Sequence, residues 1–193
     1  ARAVRVADEE VDTTMLNRRI LLAALVLPLL GPPAFAQTVA SDPLAASRAA
    51  LIEGAAVEAR AVVGETYVPI HSSIRAGDGR TRIDLAVTLS IHNASETRPL
   101  ALTRIDYFDG AGRLVQRYLA KPVAVRPFGT VEVFVAKHDV RGGTGANFVV
   151  GWGADGEIAE PVIEAVMIGD FANQSYSFVS LGRRIETLAP QAR

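Results

Sequence analysis

The chain has 193 residues, 20 of them basic and 21 acidic, with a net charge of −1 and no cysteine. That length suits one ordinary domain with a terminal extension. So even a charge balance provides no field to hold a polyanion, which argues against nucleic acid or an anionic membrane surface as a partner. Without cysteine there is no disulfide, thiol nucleophile, thiolate metal ligand or lipidated cysteine, and stability has to come from an apolar core.

In chain order, residues 1–14 read as an upstream extension of doubtful reality, because their acids stand where a leader needs a short basic region. Met15 then reads as the start of a signal peptide over residues 15–36. Arg18 and Arg19 precede the apolar run ILLAALVLPLLGPPAFA, and the small-x-small triplet Ala34-Phe35-Ala36 closes it. Cleavage after Ala36 would leave Gln37 first and place the product in the periplasm or outside the cell. Pro28, Gly31, Pro32 and Pro33 make the run too short and broken for a permanent membrane span. The arginine pair loosely fits a twin-arginine pattern, but the strongly apolar core favours the general secretory route. Residues 1–36 carry equal numbers of acids and bases, so their removal leaves the charge balance unchanged.

Residues 37–64 are rich in alanine and nearly free of aromatics. Ser41-Asp42-Pro43 is suited to cap a short helix with Leu44, Leu51, Ile52 and Val57 as a thin apolar stripe, and a flexible tether fits equally well. The domain boundary is expected near Glu65, with a β domain over 65–186 and a tail over 187–193.

From Glu65 onward the hydrophobic period is two. In TRIDLAVTLSIH, Thr81, Ile83, Leu85, Val87, Leu89 and Ile91 alternate with polar or small residues, the mark of a half-buried strand. Similar runs are TYVPIHSSI, LALTRIDYF, RLVQRYLA, TVEVFVAKH, NFVVGW, PVIEAVMIG and YSFVSLG. Asp109-Gly110-Ala111-Gly112 predicts a hairpin between strands 101–108 and 113–120. Pro69, Pro122 and Pro127 are expected at edges, bulges or strand starts. About eight strands with no helical pattern between them predict an all-β, antiparallel β-sandwich of the immunoglobulin or fibronectin kind.

The successive motifs TYVPIHSSI, RTRIDLAVTLSIHN, IDYFDGAGRLVQRYL, GGTGANFVVGW and PVIEAVMIG resemble, in order and spacing, the bacterial domain of unknown function DUF3124, over about residues 66–185. The resemblance implies a small exported or envelope protein. It carries no activity, ligand or catalytic residue. Lipoprotein members have a cysteine that this chain lacks, which implies a soluble periplasmic form.

The glycine-rich stretch VRGGTGANFVVGW invites comparison with phosphate loops. A P-loop needs Gly-Lys-Ser/Thr, whereas Gly145 is followed by Ala146 and Asn147; a dinucleotide fingerprint needs a third glycine and a following helix, and here a strand follows. No cofactor is therefore expected. The stretch reads as a turn in which Gly142, Gly143 and Gly145 take φ values closed to other residues, Asn147 ties the turn, and Trp152 anchors the next strand. Asp139, Arg141, Gly142, Gly143, Gly145, Asn147 and Trp152 form a candidate binding or structural loop.

His71, His92 and His138 share no local metal-ligand spacing, although His71 and His138 with Asp139 or Asp84 form a conceivable polar cluster in space. Neighbouring strand residues point to opposite faces, so His71 cannot readily activate Ser72, and no G-x-S-x-G or S-x-x-K motif occurs. Glu157, Glu160 and Glu164 read as solvated acids near a turn, and Asn93-Ala94-Ser95 reads as a strand-ending turn rather than a glycosylation site. Tyr107, Tyr118, Phe128, Phe134, Phe148, Trp152, Tyr176 and Phe178 are read as mostly core, being too scattered for a stacking platform.

These features predict a non-catalytic binding or interaction module of the cell envelope, its partner an unknown envelope protein or small molecule. The alternative is an envelope hydrolase or metal-binding protein built from dispersed His, Asp and Ser. Convergence of His71, His138 and Asp139 on one pocket would favour that alternative. An open, unprotected edge strand would favour an accessory subunit held by strand addition.

Overall fold

The computed structural model describes residues 42–53 and 62–185. The extension expected over 1–14, the leader over 15–36 and the tail over 187–193 lie outside the described residues. Among the described residues no helix is long and apolar enough to cross a membrane.

Two antiparallel sheets pack face to face. The first is ordered β1 (Leu51–Ile52), β7 (Val123–Val125), β5 (Leu100–Phe108), β9 (Asn147–Ala154), β2 (Val62–Pro69) and β12 (Arg183–Arg184), with β6 (Leu114–Arg117) also on β5. The second is ordered β11 (Gln174–Leu181), β10 (Val162–Phe171), β4 (Thr81–His92) and β3 (Ser73–Ala76), with β8 (Thr130–Val135) also on β4. Each strand run of the sequence has its counterpart; TYVPIHSSI is divided between β2 and β3.

The period-two pattern is what separates the faces. Along β4, Ile83, Leu85, Val87, Leu89 and Ile91 are buried between the sheets while the intervening residues are only half covered. Phe148, Val150 and Trp152 of β9 and Ile105 and Tyr107 of β5 meet them from the first sheet. Tyr107 and Phe148 stack with ring centroids 5.2 Å apart.

The sandwich takes in residues ahead of Glu65. Leu44 is buried in the core, Ser47 Oγ accepts a hydrogen bond from the Glu132 amide at 2.8 Å, and β1 pairs with β7. Ala45–Ala50 forms a 3-10 helix rather than an α-helix, and β2 already starts at Val62. What holds this alanine-rich segment is docking through a few anchors, since its own apolar stripe is thin.

At its other end the chain changes sheets at Gly182. The Gly182 amide donates to the Ile163 carbonyl of β10 at 2.7 Å, and the next two residues pair with Tyr67 and Thr66 of β2. A Cβ at Gly182 would stand 2.6 Å from the Thr66 methyl, so only glycine fits the crossing.

Candidate functional site

The loop after β8 is stitched to the segment joining β2 and β3. The Ile70 amide donates to the Ala146 carbonyl at 2.9 Å, the Ser72 amide to the Gly143 carbonyl at 3.0 Å, and the Gly143 amide to Ser72 Oγ at 2.8 Å. Thr144 Oγ1 donates to the Ser73 carbonyl at 2.9 Å, and His71 Nδ1 bonds the Thr144 carbonyl. Asp139 and Arg141 form an ion pair at 2.6 Å, and Arg141 Nη2 donates to Gln116 at 3.1 Å. The Arg141 guanidinium on its carboxylate holds Asp139 below the usual carboxylate range.

The glycines serve different ends. Only Gly143 has a left-handed φ, of 68°. Gly142 and Gly145 are required by close approach instead: a Cβ at Gly142 would lie 2.1 Å from the Tyr107 hydroxyl, and one at Gly145 3.0 Å from the Gly110 Cα. This corrects the expectation of positive φ at all three. In the Asp109–Gly112 hairpin, likewise, only Gly112 takes positive φ, at 75°, and the Gly110 amide donates to the Gly142 carbonyl at 3.3 Å. Asn147 enters the ladder through its backbone, opposite Pro69 and Phe108; among the described residues its side chain makes no turn-tying bond. Trp152 is buried as expected, its Nε1–H donating to Thr66 Oγ1 at 3.1 Å with the Arg184 guanidinium 5.4 Å above its ring.

Two buried tyrosines abut the loop. Burial, with the Asp139 charge adding to it, pushes the Tyr118 hydroxyl up to about 12. Burial also raises that of Tyr107, whose oxygen has no well-formed hydrogen bond among the described residues. Ser72 is fully buried and already accepts the Gly143 amide, His71 is bonded to a carbonyl, and His138 is exposed. Among the described residues no three His, Cys, Asp or Glu side chains are placed to hold a metal ion. Asn93 is buried, its Nδ2 donating to the carbonyls of Arg98, Val125 and Arg126, so the sequon asparagine is a structural tie. Glu157 and Glu160 are exposed.

Two surface hollows are shallow. One, of about 450 Å3, lies between Leu44, Leu51, Tyr118 and Lys121, with Asp42 and Arg48 at its edge already paired to each other at 3.0 Å. The other, of about 460 Å3, lies above Gly151 beside Glu65, Thr103 and Ile185.

The outer face of the second sheet is different in kind. Register places Phe134 of β8 opposite Thr88 of β4, Thr88 opposite Val166 of β10, and Val166 opposite Val179 of β11, one row across four strands. The neighbouring rungs add Ile168 and Leu181. Phe134 is 62% exposed, Val179 63%, Ile168 56% and Leu181 64%, a concentration of large apolar side chains that isolated surface residues do not explain. Glu132 and Glu164 border the band on one side, and Asp84 and Asp170 on the other. Phe134 therefore faces solvent, as do Phe128 at 69% and Phe178 at 38%, which corrects the reading of these rings as core. Phe128 sits in a turn with φ 55°, unusual for a bulky residue. Along the edge, β11 runs Gln174–Leu181 with no charged residue and no proline.

Two packed antiparallel sheets define an all-β sandwich, with an apolar band on the outer face of the second sheet. The family model of DUF3124, a protein of unknown function, matches residues 63–185, and the chain belongs to that family. No curated protein matches it. Among solved structures it is similar to the crystal structure of Thermotoga maritima 1070, at 12% identity, over 65% of this chain and 93% of that one, with a TM-score of 0.38.

Proposed function

We propose that this protein is an exported interaction module of the bacterial envelope without catalytic chemistry of its own, and that it docks a partner on the outer face of its second sheet. The observation that carries the reading is the row Phe134–Thr88–Val166–Val179. An antiparallel sheet with one face on the core presents polar residues on the other, and here that face carries an apolar band between Glu132 and Glu164 on one side and the Arg82–Asp84 and Lys137–Asp170 ion pairs on the other. The uncharged β11 edge adds a second element of the same kind. On the chemical side, the polar groups nearest the glycine loop are already committed to backbone partners, which suits structure better than turnover. Export is supported by the leader pattern of residues 15–36.

The test is site-specific photocrosslinking in the producing cell, with benzoylphenylalanine in place of Phe134 on the apolar band and, separately, of Tyr67 on the opposite sheet. Adducts from position 134 alone are expected. Equal adducts from both, or none from position 134, would refute the docking face. Accumulation of the protein in the cytoplasm with residues 15–36 retained would refute export.

A further inference from the structure

Resting on the reading of this face as a docking surface, we propose that one occupant is a second copy of the same chain, paired antiparallel along β11 about a two-fold axis at Phe178. The two five-stranded sheets would then join into one, and the row ending at Val179 in one copy would continue through Ser177 of the other to its Ile168.

The backbone supplies the first part of the case. Phe171 and Gln174 close the β10–β11 hairpin, and the pairing runs without a bulge to Glu164 and Leu181. The Gly182 amide bonds the Ile163 carbonyl, in step with that closure. Antiparallel ladders alternate, so the even-numbered residues of β11 direct N–H and C=O toward β10, and Ser175, Ser177, Val179 and Leu181 direct theirs away. Four alternate residues thus offer their backbone groups along one edge, with no partner for them among the described residues.

The second part is that, among the described residues, nothing on this edge would keep a copy away. Exposed edges are ordinarily blunted by lysine, proline, a bulge or a covering loop, and β11 has no charge, proline or bulge. A strand pairing with its own copy brings any charge it carries close to that copy's identical set, and an uncharged strand meets no like charge in doing so.

The third part selects a copy over another protein. The strand is complementary to its own reverse: about a central two-fold axis each exposed apolar side chain beyond Phe178 meets a serine of the copy, and no charge has to be matched. A two-fold axis at Phe178 also uses all four of these residues, matching Ser177 with Val179 and Ser175 with Leu181. It sets the two Phe178 rings side by side at a non-hydrogen-bonded pair, where cross-strand aromatics approach most closely.

The absence of native cysteine makes the register directly testable. On the full exported chain, Phe178→Cys is expected to give a disulfide-linked dimer under mild oxidation, and Ser175→Cys is not, because position 175 meets position 181 of the copy. A mixture of Ser175→Cys and Leu181→Cys chains is expected to crosslink. Sedimentation equilibrium should show dimer for the native chain and monomer for Ser177→Lys, with an unchanged circular dichroism spectrum. Equal crosslinking at positions 175 and 178 would overturn the register. A native chain that stays monomeric would overturn the self-pairing, including the case in which its β11 amides are protected from exchange because a terminal segment of the same chain covers them. In either monomeric case, adducts from a photocrosslinker at position 134 would leave the docking face standing, and their absence would remove both readings together.

Discussion

Gly110 and Gly145 meet backbone to backbone: a Cβ on Gly110 would lie 3.3 Å from the Gly145 Cα, and one on Gly145 only 3.0 Å from the Gly110 Cα. The two belong to different hairpins of the chain, the β5–β6 turn and the β8–β9 loop, and the contact fixes how closely these turns pack. Gly145→Val is expected to lower stability by about 1–3 kcal/mol through this overlap rather than through φ. Gly110→Ala should show a milder loss, and the double variant less than the sum, because one separation relieves both. Denaturant unfolding of the three variants measures this; strict additivity would show that the two sites are independent.

A second prediction follows from Trp152. Its ring occupies the space a side chain at Gly64 would need, with a Cβ there only 2.4 Å from the ring. Its Nε1–H has Thr66 Oγ1 as partner. Thr66→Val preserves shape and removes the acceptor, so a loss of about 1–3 kcal/mol is expected. Thr66→Ser should recover most of it. Indole hydrogen exchange followed by NMR should accelerate in the valine variant alone.

The alanine-rich segment is expected to contribute to stability. Deleting residues 37–53 removes the buried Leu44, the β1–β7 rungs and the Ser47 bond to the Glu132 amide. Burial of one leucine is worth about 1.5–3 kcal/mol. The shortened chain should therefore unfold at clearly lower denaturant, and Ser47→Ala alone should cost about 1 kcal/mol. An unchanged midpoint for the deletion would show that these contacts are incidental.

Acid and base should each reveal specific groups. Asp109 is held below the usual carboxylate range chiefly by the Arg113 amide, with the Arg113 side chain and the Ala111 amide assisting, and Asp139 chiefly by the Arg141 side chain. The folded state thus binds fewer protons at these sites than the unfolded one. Their stabilisation is present above the unfolded carboxylate range and is lost as pH falls through the lower folded values. Asp109→Asn should flatten the acid limb of a stability–pH curve. Tyr118 works in the opposite sense: raised to about 12, it favours the neutral form, so its contribution is complete below the unfolded tyrosine range and is lost as pH rises through the folded value. Of the chain's four tyrosines, Tyr107 and Tyr118 should form phenolate late, and Tyr118→Phe should remove one late equivalent from the absorbance titration.

The β4 alternation was readable because one face of that strand is covered and the other is not, so burial and polarity coincide along Thr81–His92. PVIEAVMIG was not readable in the same way. Val162, Val166 and Ile168 alternate with the buried Ile163, Ala165 and Met167, and such a run has the composition of a strand covered on both faces. Only the register, which brings Phe134 and Val179 to the same side, shows an uncovered apolar band. The glycine loop was legible as a turn, but the reason for Gly142 lies in Tyr107, far off in sequence, and a steric demand of that kind leaves no local pattern.

The crossing at Gly182 bears on the order in which the molecule can be completed. Strand β2 has two partners, β9 and β12, and both follow it late in the chain. A chain emerging end-first from a ribosome or a translocation pore would display Val62–Pro69 with neither edge satisfied until residue 147, and with one edge open until residues 183–184 appear. Sandwich closure is therefore a terminal event, and an early strand has to be kept from other chains throughout. Truncation just before Arg183 would leave the body of both sheets intact on paper and yet expose, in every molecule, the strand that has waited longest for its neighbour.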